Sequence, residues 1–195
     1  MWNSQVIIML LEGIRDTLYM TLASTLFGYI IGLPMGIVLT VTDKDGIRPN
    51  AAVYKVLDVI SNLLRSIPFI ILLIVLIPFT RFVVGRSYGS TATIVPLTIA
   101  AAPYIARMVE SSLKEVDAGV IEAARSMGAS DFQIVTKVML VEARTSLIVG
   151  ATISLGTILG YSAMAGTVGG GGLGDIAIRY GYTRWQTDIM VVTVV

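Results

Sequence analysis

The chain has 195 residues, of which 55% are hydrophobic and 14% are charged, and its formal net charge is +1. Soluble domains carry about 25% charged residues, so this composition excludes a soluble globular protein and predicts an integral membrane protein. The near-neutral charge argues against a nucleic-acid partner. The absence of cysteine and histidine excludes disulfides and removes the commonest metal ligand, so we expect no metal site and no catalytic residue in the chain.

Four segments are long and apolar enough to cross a bilayer as helices. About 20 apolar residues are needed, because ~30 Å of hydrocarbon is crossed at ~1.5 Å per residue. The four predicted spans are residues 18–41, 67–84 (starting a turn or two earlier), 91–109 and 146–168. The apolar run at residues 6–11 is too short to span and ends at Glu12, so we expect a short interfacial helix there.

A fifth apolar segment starts at about Gln186 and runs to Val195. Residues 186–195 at helical rise would cover only ~15 Å, about half of the hydrocarbon. We therefore expect this fifth helix to be truncated and the natural chain to continue. The predicted fold is an all-α polytopic membrane bundle of five transmembrane helices, with residues 1–195 in a single transmembrane domain.

Lysine and arginine predict the orientation, since cytoplasmic loops carry an excess of both. The loops after the first and third spans hold eight of them: Lys44, Arg48, Lys55, Arg107, Lys114, Arg125, Lys137 and Arg144. The N-terminus and the two other loops hold five: Arg15, Arg81, Arg86, Arg179 and Arg184. We therefore expect the N-terminus outside, residues 110–145 inside and the C-terminus in the cytoplasm.

Small residues in two spans predict close helix packing, because they allow helix backbones to approach in lipid. The first span has them at every fourth position: Ser24, Gly28, Gly32, Gly36 and Thr40. The fourth span repeats the pattern with Thr152, Gly156 and Gly160. Five prolines lie within or at the ends of spans, where each removes a backbone donor and can kink a helix: Pro34, Pro68, Pro78, Pro96 and Pro103.

The predicted spans contain almost no ionisable side chains. Arg65 and Arg81 lie near the two ends of the second span, and Arg107 and Glu110 close the third. Ion-coupled carriers hold charged residues at membrane depth for the coupling ion. Any transport by this chain should therefore draw its energy from elsewhere.

Residues 120–140, VIEAARSMGASDFQIVTKVML, form a charged segment between the third and fourth spans. Asp117 is a predicted N-cap for a first helix, and Gly128 is the predicted C′ residue that ends it in the left-handed conformation. Ser130 and Gln133 match a capping box that starts a second helix. The segment is therefore predicted to be a helix, a glycine turn and a second helix.

Both predicted helices of the charged segment offer apolar surface. Ala123 and Ala124 leave a flat area on the first helix. The second helix is predicted to present Phe132, Val135 and Met139 on one face, flanked by Ile134 and Val138. From the residues alone, two interpretations remain: an amphipathic pair lying on the inner leaflet, or a protrusion that fits a groove in a cytosolic partner.

Three residues in the outer half of the fourth span, Tyr161, Ser162 and Met164, are candidates for lining a path for a small amino acid with a thioether tail. Methionine is an adaptable and polarizable lining residue. The alternative is that they serve only packing or the membrane interface.

The run Gly169-Gly170-Gly171-Gly172-Leu173-Gly174 matches a nucleotide-binding pattern only formally. It follows a membrane span, and Asp175-Ile176 stand where a phosphate-binding loop needs Lys-Ser or Lys-Thr. We expect a flexible turn leading to a short external helix at residues 173–180. Aromatic residues at the end of this helix and just after it fit the outer interfacial belt: Tyr180, Tyr182 and Trp185.

Glu122-Ala123-Ala124, followed by Gly128 and by Val138-Met139-Leu140, resembles the EAA loop of ABC importer permeases. The family ends this motif with Ile-x-Leu-Pro, whereas this chain has Val141 in place of the proline. The resemblance implies a type I importer domain in which the cytoplasmic loop 110–145 inserts a coupling helix into an ATP-hydrolysing subunit. The docking residues it implies are Glu122, Ala123, Ala124, Gly128 and Phe132.

Residues 65–81, 94–110 and 160–182 resemble the permeases of D- and L-methionine importers, a five-span subfamily, and the likeness covers roughly residues 10–190. It implies a non-catalytic, multi-pass subunit of the bacterial inner membrane, surrounded by membrane lipid, that imports methionine. The implied partners are a second copy of the chain, two ATPase subunits inside and a methionine-binding lipoprotein outside. ATP and Mg²⁺ would bind the ATPase, so the chain itself is expected to bind no cofactor.

Two alternatives remain. The same architecture could carry another small amino acid or amine. The chain could instead form a channel or exporter that works without an ATPase.

Overall fold

The computed structural model describes residues 4–194, and within that range every regular element is a helix. The α-helices are α1 (Ser4–Thr42), α2 (Ala51–Ser66), α3 (Phe69–Val75), α4 (Ile77–Val84), α5 (Ser90–Lys114), α6 (Ala118–Ser126), α7 (Asp131–Gln133), α8 (Leu140–Glu142), α9 (Arg144–Ala165), α10 (Gly172–Ile176) and α11 (Thr187–Val194). Two π-helical turns, Ile134–Met139 and Ala177–Tyr182, and a 3₁₀ turn, Gly166–Val168, complete the described chain. The all-helical prediction is confirmed.

The first predicted span is the central part of a longer helix. α1 runs without a break from Ser4 to Thr42 and contains Pro34. Residues 6–11 are therefore helical and lead into the first span, as predicted, but they belong to the same long helix and do not form a short helix of their own. Its 39 residues extend for about 58 Å at helical rise, nearly twice the thickness of the hydrocarbon. The charged residues around Glu12 do not end the helix, because glutamate and arginine are good helix formers.

The second predicted span is not one helix. α2 ends at Ser66, α3 begins after Pro68, and a further break at Leu76 separates α3 from α4. Both breaks lie next to a proline, since Pro68 precedes α3 and Pro78 lies in the first turn of α4. Proline has no N–H to donate and disfavours helical geometry in the residue before it.

The third and fourth predicted spans are confirmed as the helices α5 and α9. Three helical stretches of the described chain are long and apolar enough to cross a membrane: Ser4–Thr42, Ser90–Lys114 and Arg144–Tyr182. The helices α2 and α3, counted together as one broken span, make a fourth candidate. The fifth span and the orientation of the termini stay predictions; α11 covers residues 187–194, and Val195 lies outside the described residues.

The chain divides into two compact units. The first contains the N-terminal part of α1, the helices α3 and α4, the N-terminal part of α5, and residues from 155 onward. Its core is formed by buried side chains from four helices: Met20, Phe69, Leu73, Leu97 and Ala165.

The glycine-rich turn of the first unit is fixed by hydrogen bonds, unlike the flexible turn that the sequence predicts. Gly89 N–H donates to Gly169 C=O at 2.9 Å, and the Thr93 hydroxyl donates to Gly170 C=O at 3.1 Å. Leu173 N–H donates to the Thr17 hydroxyl at 2.9 Å. The turn is therefore held from α1 and from the start of α5, and the helix that follows begins at Gly172.

The second unit contains residues 28–66 and 101–154. Gly28, Gly32 and Gly36 of α1 lie directly against α5, as the spacing of small residues predicts. A Cβ atom at Gly32 would lie 2.6 Å from the carbonyl oxygen of Ala102 and 2.9 Å from Ile105 Cβ. The helices can approach this closely only where α1 has no side chain.

The glycines of the fourth span behave differently. No atom of the described chain lies within 4 Å of a Cβ atom placed on Gly156 or Gly160. The close packing predicted at these two positions is therefore absent within the described chain.

Candidate functional site

The first helix of the charged segment is capped at both ends as predicted. The Asp117 side chain accepts a hydrogen bond from Gly119 N–H at 2.7 Å and so starts α6. Gly128 has a φ of +83°, and the Ala129 and Gly128 N–H groups donate to the Ala124 and Arg125 carbonyls. This pair of bonds is the Schellman arrangement, which satisfies the last carbonyls of a helix and reverses the chain.

The second helix starts with the predicted capping box, in which Ser130 and Gln133 bond reciprocally. It then widens into a π-helical turn over Ile134–Met139 before it closes as α8. This wider turn changes which residues share a face. Ile134, Val135 and Met139 are buried, whereas Phe132 is 76% exposed, so the predicted face of Phe132, Val135 and Met139 is wrong.

The predicted docking residues divide into exposed and buried ones. Glu122, Ala123, Gly128 and Phe132 are exposed, which leaves them free to meet a partner. Ala124 is only 5% exposed, so the flat surface predicted for the alanine pair is limited to Ala123. The small Ala124 side chain is buried, which allows α6 to lie close to the rest of the second unit.

The first helix of the charged segment is attached to the loop that follows α1. The Arg125 guanidinium donates to the carbonyl oxygen of Ile47 at 2.9 Å. A cavity of about 580 Å³ lies between α6, this loop and the end of α5. Its walls include Asp43, Ile47, Leu113, Lys114, Ile121 and Glu122.

A network of ion pairs lies at the same end of the second unit. Arg107 pairs with Asp58 of α2 and, at 2.6 Å, with Glu110 of its own helix. Lys114 bridges Glu110, at 2.8 Å, and Asp43, at 2.7 Å. The sequence signals only part of this network. Arg107 and Glu110 are three residues apart, and Glu110 and Lys114 are four apart, which places all three on one helix face. Asp43 and Asp58 come from distant parts of the chain and could not be assigned.

The carboxylate of Asp43 is ionised in this arrangement. Its hydrogen bond from Lys114 Nζ lowers the pKa of Asp43 below the ordinary value, against the opposing effect of burial. Both partners of the Lys114–Asp43 pair are therefore charged at neutral pH.

The candidate path residues of the fourth span have different surroundings. The Tyr161 ring stacks on Phe69, with ring centroids 4.7 Å apart. Ser162 is buried and its hydroxyl donates to Leu159 C=O at 2.8 Å. Met164 is 46% exposed and is the most exposed of the three.

The aromatic residues predicted for the outer belt also differ from one another. Tyr182 and Trp185 are 69% and 87% exposed. Tyr180 is half-buried, packs against a cluster of Leu10, Ile176 and Ile189, and has the Arg184 guanidinium 4.5 Å from its ring centre. Tyr180 therefore contributes to packing rather than to an exposed surface.

Comparison with known proteins decides the family. The family model described as binding-protein-dependent transport system inner membrane component matches residues 17–195. The chain belongs to this family. It is a transport component of the inner membrane, and the comparisons class it with permease subunits rather than with enzymes.

Relatives within the family are similar over most of the chain. The probable D-methionine transport system permease protein MetI of Vibrio cholerae is 49% identical over 187 residues, which cover 96% of this chain and 83% of the relative. The D-methionine transport system permease protein MetI of Escherichia coli K12 is 54% identical over 158 residues, which cover 81% and 73% of the two chains.

Solved structures agree with the family. A chain from inward-facing conformations of the MetNI methionine ABC transporter matches with a TM-score of 0.97 and 50% identity, covering 99% of this chain and 89% of that one. An amino acid ABC transporter crystallised with histidines matches with a TM-score of 0.77 over 97% and 86% of the chains. Its 21% identity shows a shared fold only.

Proposed function

We propose that this chain is the permease subunit of an ATP-driven importer that carries methionine into the cytoplasm. The observation that carries the proposal is the charged segment, a capped helical hairpin that exposes Glu122, Ala123 and Phe132 instead of burying them. A polar hairpin with an exposed aromatic side chain is suited to docking on another protein, because aromatic residues dominate binding energy at interfaces. Relatives about 50% identical that are named as D-methionine permeases support the cargo.

The proposed assembly contains two copies of the chain and two ATPase subunits on the cytoplasmic side. The ATPase supplies the nucleotide site, with ATP and Mg²⁺ bound there and not on this chain. Glu122, Ala123, Gly128 and Phe132 are the proposed contacts to the ATPase. A methionine-binding lipoprotein outside would deliver the substrate, and the exposed side chains of Tyr182 and Trp185 are suited to its docking surface.

The proposed mechanism follows from the position of the hairpin. When ATP closes the two ATPase subunits, the two charged segments are drawn together and the helices change from an inward-open to an outward-open arrangement. Nucleotide can shift this equilibrium only by as much as it binds one arrangement better than the other. Hydrolysis removes that preference and resets the transporter. This chain holds the substrate path and catalyses no chemical step.

Of the three candidate path residues, Met164 is the best suited to contact the substrate. Its thioether is polarizable and matches the side chain of methionine. Tyr161 and Ser162 support the wall of the path through their stacking and hydrogen bond.

ATP-dependent uptake tests the proposed function. Proteoliposomes that contain the complete complex should move labelled methionine from the side that holds the binding protein to the side that carries the ATPase when ATP is supplied on the ATPase side. A non-hydrolysable ATP analogue on that side should not support this accumulation. An excess of unlabelled methionine should compete, whereas an excess of another small amino acid should not. Equal flux without nucleotide would indicate a channel or exporter, and competition by another amino acid would indicate a different cargo.

A further inference from the structure

The ion network at the C-terminal end of α5 joins three separate parts of the second unit. Asp58 belongs to α2, Arg107 and Glu110 belong to α5, and Asp43 lies in the loop after α1. Arg107 also donates to the Asn62 side chain at 3.2 Å and, more weakly, to the Asp58 carbonyl at 3.4 Å. One guanidinium therefore ties α5 to a full turn of α2.

Glu110 is the buried centre of the network. Its side chain is 6% exposed and accepts hydrogen bonds from Arg107, Lys114 and, at 3.3 Å, the Tyr54 hydroxyl. A buried carboxylate is costly unless it is paired and hydrogen-bonded, and leaving it unpaired is strongly destabilising. Both charged partners of Glu110 belong to α5 itself, so the buried carboxylate stays paired whatever α2 does. The links from this paired centre to α2 are the Tyr54 hydroxyl and the pair of Arg107 with Asp58.

The network continues to the charged segment through the loop after α1. Lys114 pairs with Asp43 at the start of this loop, and Arg125 of α6 bonds the carbonyl of Ile47 near its end. Gly46 lies between them, where a Cβ atom would be 2.5 Å from the Thr40 and Val41 carbonyl oxygens. The short loop is therefore packed against the end of α1 and held to both α5 and α6.

We propose that Arg107 is a positioning residue that makes the inner ends of α1, α2 and α5 move as one block with the charged segment. The inference rests on the proposed function, since a block of this kind matters when an ATPase pulls on the hairpin. A displacement of α6 would then reach α2 through the chain of contacts from Arg125 to the loop, Lys114, Glu110, Arg107 and Asp58. With the link to α2 lost, part of the movement would stay in α6, the loop and α5 and would not reach α2. Some ATP would then be hydrolysed without transport.

The Asp58→Asn variant tests this inference in the complete complex in proteoliposomes. We choose Asp58 because it is partly exposed and its removal leaves Arg107 paired with the buried Glu110. The asparagine amide oxygen can still accept the hydrogen bond from Arg107, so the variant loses only the charge of the pair. The ATP hydrolysed per methionine imported should therefore rise about fivefold, the factor by which a charge-assisted hydrogen bond exceeds a neutral one. The Asp58→Glu variant keeps the charge and should restore most of the coupling.

The Asp45→Asn variant is the matched control, since its pair with Lys44 is 3.7 Å long and both side chains are more than 80% exposed. It should leave the ratio of ATP to methionine unchanged.

If Asp58→Asn keeps the wild-type ratio while the wild-type complex imports methionine, the inference is overturned and the proposed function stands. If Asp58→Glu is as uncoupled as Asp58→Asn, charge pairing is not the cause and the inference is also overturned. A wild-type complex that shows no ATP-dependent uptake overturns the proposed function, and the inference with it.

Discussion

Replacing Glu122 with lysine is expected to release the ATPase subunit while leaving the chain inserted in the membrane. Glu122 is exposed on α6, at the edge of the cavity behind the charged segment. Reversing a charge in the proposed interface removes an attraction and adds a repulsion, and truncating a paired interface charge already weakens binding by about 100-fold. The measurement is the amount of ATPase that copurifies with the tagged permease at fixed salt.

Glu115 supplies the control for this experiment. It is an exposed glutamate between α5 and α6, outside the proposed contact surface, so Glu115→Lys makes the same charge change nearby. This variant should retain the ATPase at the wild-type level. Full retention by Glu122→Lys, or equal loss by both variants, would count against specific docking through α6.

The Gly32→Val substitution is expected to have the largest effect on stability. The new Cβ atom would lie 2.6 Å from the Ala102 carbonyl oxygen and 2.9 Å from Ile105 Cβ. The nearest atoms belong to the backbone and to the stiff part of a β-branched side chain, so neither can rotate away. Overpacking of this kind costs about 3 kcal/mol, and in a membrane it also separates two helices that depend on close contact.

Thermal unfolding of the purified complex measures this effect, with Gly156→Val as the matched control. Both substitutions place valine in the interior of a long helix, so the change in helix propensity is the same. Gly156 has open space around its Cβ position, and its substitution should be neutral or slightly stabilising in comparison. An unchanged melting temperature for Gly32→Val would mean that α1 and α5 do not pack as described.

Patterns that depend on near neighbours in the chain could be predicted from the sequence. The capping box of Ser130 and Gln133, the left-handed Gly128 and the small-residue face of α1 all follow from local geometry, and all three are present. The third and fourth spans follow from apolar length alone. These features need no knowledge of which helix lies beside which.

Features that depend on the three-dimensional arrangement could not be predicted. The π-helical turn at Ile134–Met139 changes the face of the second hairpin helix, and no residue in that turn signals it. The pairing of Arg107 with Asp58 joins positions 49 residues apart. The glycine-rich turn has the composition of a flexible loop, and only its bonds to Thr17 and Thr93 fix it.

Proline, like the small residues of the fourth span, was a local signal whose meaning depended on its neighbours. Pro34, Pro96 and Pro103 lie inside α1 and α5, which continue through them. Pro68 and Pro78 lie at the starts of α3 and α4, where the missing N–H has no helical partner to lose. The sequence marks five possible breaks, and the structure uses two of them.

Accessibility of position 123 is the most direct test of the central claim that the charged segment faces the cytoplasm and contacts the ATPase. The chain has no cysteine, so an Ala123→Cys variant carries a single thiol at an exposed position of α6. A Trp185→Cys variant provides the control for the opposite side.

In inverted membrane vesicles, a membrane-impermeant maleimide should label position 123 only after the ATPase has been stripped off, and should not label position 185. In intact spheroplasts, labelling of position 185 and not of position 123 is expected. Labelling of position 123 from the outside, or equal labelling with and without the bound ATPase, would contradict the account.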